Sequence, residues 1–236
     1  MNYEIIKDPE ELSRFIAWLP ELEKHETYYV SLMVRKKYCE AKHGIKSDQI
    51  SLKRFTTDKA KLFRKIKQLE CEMGSYLQGD VPVPQQGLAL YITPNPRDME
   101  KATKNCLIKF ANLITQPYFG YNPHQEVLSE IQKTVGNRVY VDFDFDNTKG
   151  VLKSDFNTYI KEQILEKVNS DCAYFLETRG GLHVLINTSK IEESFAKTWY
   201  KSIDFMKELD QVSSTNLIPI AGCTQGGFTV RMEYPK

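Results

Sequence analysis

Residues 139–146 read Val-Tyr-Val-Asp-Phe-Asp-Phe-Asp, an apolar strand pattern that carries a carboxylate at every second position from Asp142 to Asp146. Aspartate is depleted in strands, and a strand sends successive side chains to opposite faces. Asp142, Asp144 and Asp146 therefore share one face, while Val141, Phe143 and Phe145 occupy the other. Same-face neighbours lie roughly 6.5–7 Å apart at their backbones, so flexible carboxylates can converge from there on one divalent cation or a close pair. Three like charges in a row repel one another. A strand that keeps them needs a cation or a solvated rim.

A second cluster follows within 40 residues, in Thr-Arg179-Gly180-Gly181-Leu-His183-Val-Leu-Ile. A Gly-Gly turn lets backbone approach a ligand closely and can offer amide donors to a phosphate. Carboxylates facing a histidine and an arginine are what nucleotidyl transfer requires. The acids hold metals that activate a hydroxyl and stabilise the departing pyrophosphate, and the basic groups neutralise a triphosphate.

The elements that must position these groups follow from periodicity and turn residues. Strand 138–145 leads through Asn147 to Gly150 into a helix that starts at Ser154 or Asp155 and runs to about 168. Strands 172–178 and 182–187 flank the Arg-Gly-Gly turn, a helix of roughly 190–209 comes next, and strands are expected near 215–220 and 227–233. This β-α-β-β-α-β order is the split βαβ arrangement, in which the first strand adjoins the third. His183 is thereby expected beside the acidic strand. The first part of the chain reads as mainly helical, over 8–17, 23–42, 58–77, 97–115 and 123–135, with Thr57 or Asp58 capping the third and a short strand at 88–92. The fold class expected is α+β: residues 1–136 form a mainly helical N-terminal α/β unit packed against a catalytic palm over 137–236.

With 236 residues and a net charge of +1, the chain is long enough to bury a proper core. No apolar run approaches the ~18 residues of a membrane span, so no membrane partner is expected. The start lacks the pattern of a secretory signal. Five cysteines, an odd number at wide spacings, point to a reducing compartment, and a cytoplasmic location is expected. The near-neutral total hides an asymmetry. Between Arg35 and Lys67 stand twelve Lys or Arg and three acids, interleaved with Tyr38, Phe55 and Phe63. Such a stretch suits a phosphate backbone and stacked bases, or else forms a solvated helix face.

The apolar strand with Asp142-x-Asp144, the Gly-rich turn leading to His183, and an acid after the following helix, Asp210, together resemble the archaeo-eukaryotic primase (primase-polymerase) superfamily. Order and spacing agree over 138–236, and over 1–137 only the general layout does. The resemblance implies an RNA-recognition-type palm and a metal-dependent nucleotidyltransferase that joins nucleoside triphosphates to single-stranded or primed nucleic acid. Mg²⁺ or Mn²⁺ would sit on Asp142, Asp144 and Asp210 with Asp146 in support. His183, Arg179, Gly180 and Gly181 would bind the nucleotide. The family's basic residue before a Pro-containing strand is missing here, and Arg231 is the replacement expected. A helicase or accessory priming domain is an expected partner. Two rivals stand beside this reading. Asp144-Phe-Asp146-Asn-Thr148 also fits the nucleophile loop of haloacid-dehalogenase-like phosphatases, although no Gly-Asp-x-x-x-Asp pattern follows it. A nucleic-acid-binding module without catalysis is the other, although its sheet would carry aromatics where this one carries aspartates.

Overall fold

The computed structural model describes residues 1–115, 117, 120–147, 150–204, 211–213 and 217–235; for 204 and 211–213 it describes the backbone alone. Helix α1 (Pro9–Trp18) opens on Asp8, whose side chain accepts the Glu11 amide, with Pro9 in the first turn, where its missing N–H costs nothing. Strands β1 (Glu26–Val34) and β2 (Ile50–Thr57) follow, then helix α2 (Lys59–Lys67), capped by Asp58. A short hairpin, β3 (Leu77–Gln78) and β4 (Val81–Pro82), precedes β5 (Leu88–Ile92), β6 (Arg97–Asp98), α3 (Met99–Ile114) and α4 (Pro123–Lys133). The rest comprises β7 (Tyr140–Asp146), α5 (Lys153–Leu165), β8 (Ala173–Glu177), β9 (Gly181–Asn187), α6 (Trp199–Asp204) and β10 (Gln211–Ser213). It ends with β11 (Ile218–Pro219), β12 (Thr224–Gln225), β13 (Phe228–Thr229) and β14 (Arg231–Glu233).

The mixed α+β class holds, but the first part of the chain is not mainly helical. Its centre is a seven-stranded sheet of order β13-β12-β5-β1-β2, with β11 also on β5 and β6 on β1. The 23–42 segment expected as a helix is strand β1 followed by two single-turn 3-10 segments. The reason is burial on both faces: Tyr28, Val30 and Leu32 pack in the main core with Leu12, Phe15, Leu62 and Ile66 of α1 and α2, while Tyr29 packs with Tyr91, Ala89 and Leu128. A strand covered on both sides is apolar throughout, and that pattern satisfies helical spacing as well as it satisfies a strand. The helix read at 58–77 stops at Lys67.

The second sheet has the order β10-β7-β9-β8-β14, and each strand is antiparallel to its neighbours. On one face Phe143, Phe145, Val184 and Ile186 pack with Ile160 and Ile164 of α5 and Ile203 of α6. On the other, Tyr140, Tyr174 and Leu185 belong to the core of the first sheet. The expected strands 215–220 and 227–233 do not complete the second sheet. Ile218–Pro219 pairs with β5, Phe228–Thr229 pairs with β12 in the first sheet, and only Arg231–Glu233 returns to the edge of β8. A division at 136/137 therefore does not follow the sheets, because the chain's last part crosses back and stitches the two together.

Candidate active site

Strands β7 and β9 bring the two chemical clusters into register: Asp144 stands opposite His183, Asp142 opposite Leu185 and Asp146 opposite Gly181. His183 lies between two carboxylates, with Nδ1 3.0 Å from Asp142 Oδ1 and Nε2 3.3 Å from Asp144 Oδ1. The histidine and Asp142 are both buried. Burial alone would lower the imidazole pKa, but the charges of Asp142 and Asp144 outweigh it and raise the pKa to about 9. The two carboxylates thus favour the imidazolium form of His183, whose charge offsets part of theirs. Asp144 is more open, with 28% of its side chain exposed. Burial still pushes its carboxyl above the ordinary range. The His183 charge opposes that push, Asp146 and Asp142 add to it, and Lys37 acts in the same sense as His183.

One oxygen of Asp142, Oδ2, is buried without a hydrogen-bond partner. An ionised oxygen left that way is costly, and a cation at that point would remove the cost. The hard oxygens of Asp142, Asp144 and Asp146 suit Mg²⁺ or Mn²⁺ by chemistry. Among the described residues no group of three or more His, Cys, Asp or Glu side chains already stands as a metal cluster. Asp210, the expected third acid, lies outside the described residues.

The Gly-Gly turn is required by packing. A methyl group at Gly181 would run into the Phe145 carbonyl oxygen, and one at Gly180 would press on Asp146 Oδ1. The glycines let the β8–β9 hairpin close against the acidic strand. The Gly181 amide is already used, donating to Thr178 Oγ1 at 3.1 Å, so it is not the free phosphate donor that the turn suggested. Arg179 is also engaged. Its amide donates to Gln225 Oε1 at 2.7 Å, its guanidinium donates to the Gly226 carbonyl, and its Cζ stands 4.5 Å from the centre of the Tyr38 ring. It joins the hairpin of one sheet to the first sheet. Arg231 is exposed on β14, opposite Glu177, with β8 and β9 between it and the acids. It is not brought to the site.

A cleft of about 510 Å³ separates Asp144, Asp146 and His183 from a wall supplied by the first sheet, where Arg35, Lys37, Tyr38, Tyr91 and Gln225 stand. Arg35 donates to the Tyr91 hydroxyl, and its Nε lies 3.4 Å from Asp48. Gln225 reaches the same hydroxyl at 3.5 Å while holding the Arg179 amide. The cations that the first sheet brings to this cleft are thus Arg35 and Lys37, which leave the end of β1, with Asp48 lining the cleft beside Arg35. The basic stretch in the sequence contained both, but nothing there showed that the chain turns them back over the acidic strand. Among the described residues no helix is long and apolar enough to cross a membrane. No protein-family model, no curated protein and no solved structure matches the chain.

Proposed function

We propose that this cleft is the active site of a metal-dependent nucleotidyltransferase of primase-polymerase type, which joins nucleoside triphosphates to a nucleic-acid chain. The observation that carries the reading is the opposition of an acidic strand, with an unpartnered oxygen on Asp142, to a wall bearing Arg35 and Lys37. A metal-triphosphate complex has that same division of charge. The order β10-β7-β9-β8, with α5 and α6 on the face away from the acids, supports a palm of RNA-recognition type. It also argues against the phosphatase rival, which needs its nucleophile strand in a parallel sheet.

In this reading Asp142 and Asp144 would hold Mg²⁺ or Mn²⁺, with Asp210 as the third acid on the strength of sequence alone and Asp146 in support. The cation would supply charge neutralisation of the phosphates and activation of the attacking hydroxyl. His183, held between Asp142 and Asp144, offsets part of the carboxylate charge and lines the cleft beside the phosphates. Arg35 and Lys37 take the role of triphosphate contacts first given to Arg179 and Arg231. Arg179 holds the hairpin that carries His183. Single-stranded or primed nucleic acid is the second substrate, on the basic segment that runs from Arg35 to Lys67.

The test is an extension assay with labelled nucleoside triphosphates, single-stranded and primed DNA, and Mg²⁺ or Mn²⁺, beside an Asp142→Ala/Asp144→Ala control. Metal-dependent products that vanish in the control are expected. Phosphate release from a generic phosphomonoester without any extension would move the assignment to the phosphatase.

A further inference from the structure

Beside the second sheet, where Tyr174 stands level with Asp142 two strands across, a groove of about 630 Å³ is lined by Arg14, Ala17 and Trp18 of α1, Tyr174 of β8, Lys190, and Tyr234 after β14; Asp171 and Pro235 complete it. Arg14, Ala17 and Trp18 are spaced three and four residues apart and share one helix face, where Ala17 is the small residue of the lining. Trp18 is half-buried, with its ring 4.6 Å from that of Tyr140 and 5.6 Å from that of Tyr174. Two polar atoms of the lining residues, Trp18 Nε1 and Tyr234 Oη, are buried and make no hydrogen bond. Buried indole and phenol groups ordinarily find partners. Two exposed cations flank the rings. Arg14 is paired with Glu11, and Lys190 donates to the Tyr174 hydroxyl at 3.3 Å.

We propose that this groove is a second nucleotide-binding site, distinct from the acidic cleft, which takes a flat base against the Trp18–Tyr174 aromatics and its phosphate on Lys190 and Arg14. Aromatic rings beside mobile cations are the chemistry of single-nucleotide stacking sites, and Asp171 offers an acceptor to a base amine. The groove and the acidic cleft have no lining residue in common, so the two are separate sites. The ligand is either a free mononucleotide or one unit of a nucleic-acid strand.

The chain has two tryptophans, so Trp199→Phe leaves Trp18 as the sole reporter. Its emission is followed while dTMP or an oligo-dT strand is added. Saturable quenching is expected. Equal affinity for both probes identifies a mononucleotide site, and quenching by the strand alone identifies a strand site. Lys190→Ala should weaken the binding about tenfold, as loss of one charge-assisted contact does, and lower the salt dependence by about one phosphate contact. Asp144→Asn should leave it unchanged. Absence of saturable quenching with either probe overturns the proposal, as does quenching that Lys190→Ala spares or that Asp144→Asn abolishes. Extension activity is read separately, so failure here leaves the acidic cleft untouched.

Discussion

The two ends of strand β7 face the same first sheet and meet it in opposite ways. At the Tyr140 end the sheets are closed by rings: Trp18, Tyr140 and Tyr174 pack in mutual contact, with Tyr140 and Tyr174 edge to face at 5.7 Å. At the Asp144 end a charged cleft lies between them, with Asp144 and Asp146 on one side and Arg35 and Lys37 on the other. Apolar surface gains by leaving water, whereas charges gain little unless paired. One strand face thus supplies adhesion at one end and an unclosed site at the other, and each should answer to different mutations.

The largest effect is expected at the open end. Asp144→Asn should cut nucleotidyl transfer by about 10³-fold, the scale of removing a principal charge-stabilising group, while stability stays within about 1 kcal/mol. Steady-state rates and urea unfolding of the same preparation check both halves. Trp18→Ala should do the reverse. It removes a ring from the closed end at a cost of about 3 kcal/mol and leaves the rate per folded molecule within a factor of two. A Trp18→Ala protein that is stable but inactive would break the division between the ends.

The pH response sharpens the division further. His183 has its pKa raised from the ordinary imidazole value of 6.5 to about 9 in the folded chain, where Asp142 and Asp144 outweigh its burial. A raised pKa contributes stability that is fully present below the unfolded value and is lost as pH rises through the folded one. The metal-free protein should therefore lose up to about 3 kcal/mol between pH 6.5 and 9. Urea midpoints in the presence of a chelator across that window measure the loss, and His183→Gln should flatten it. An unchanged slope in His183→Gln would show that another group sets the charge balance.

What the sequence disclosed follows the same contrast. Alternation placed Asp142, Asp144 and Asp146 on one face because period two is local information, and the Gly-Gly turn fixed the hairpin that carries His183 opposite Asp144. Helices α1 to α4 of the first part were legible from helical spacing, with Asp58 also legible as the cap of α2. Strand β1 was not legible, since burial on both faces erased the alternation that separates a strand from a helix. Residues 218–229 were misplaced for a different reason: which sheet a two-residue strand joins is decided by non-local pairing with β5 and β12. The same kind of long-range placement hid Arg35 and Tyr91 from any reading of spacing and gave Arg179 and Arg231 roles that distance and existing partners now deny them.

The smallest effects test that reassignment. Arg35→Ala should raise KM for the nucleoside triphosphate about tenfold, since a charge-assisted contact to phosphate is worth somewhat over 1 kcal/mol, with kcat moved less than KM. Arg231→Ala should change neither by more than a factor of two. Arg231 is exposed on β14, and strands β8 and β9 separate it from the acids by about 14 Å. At that distance, across water, physiological salt screens most of its charge. Equal losses in the two variants would put the triphosphate across the outer edge of the second sheet, where β14 lies. The cleft would then be a packing defect, and the opposed charges of its walls would need another explanation.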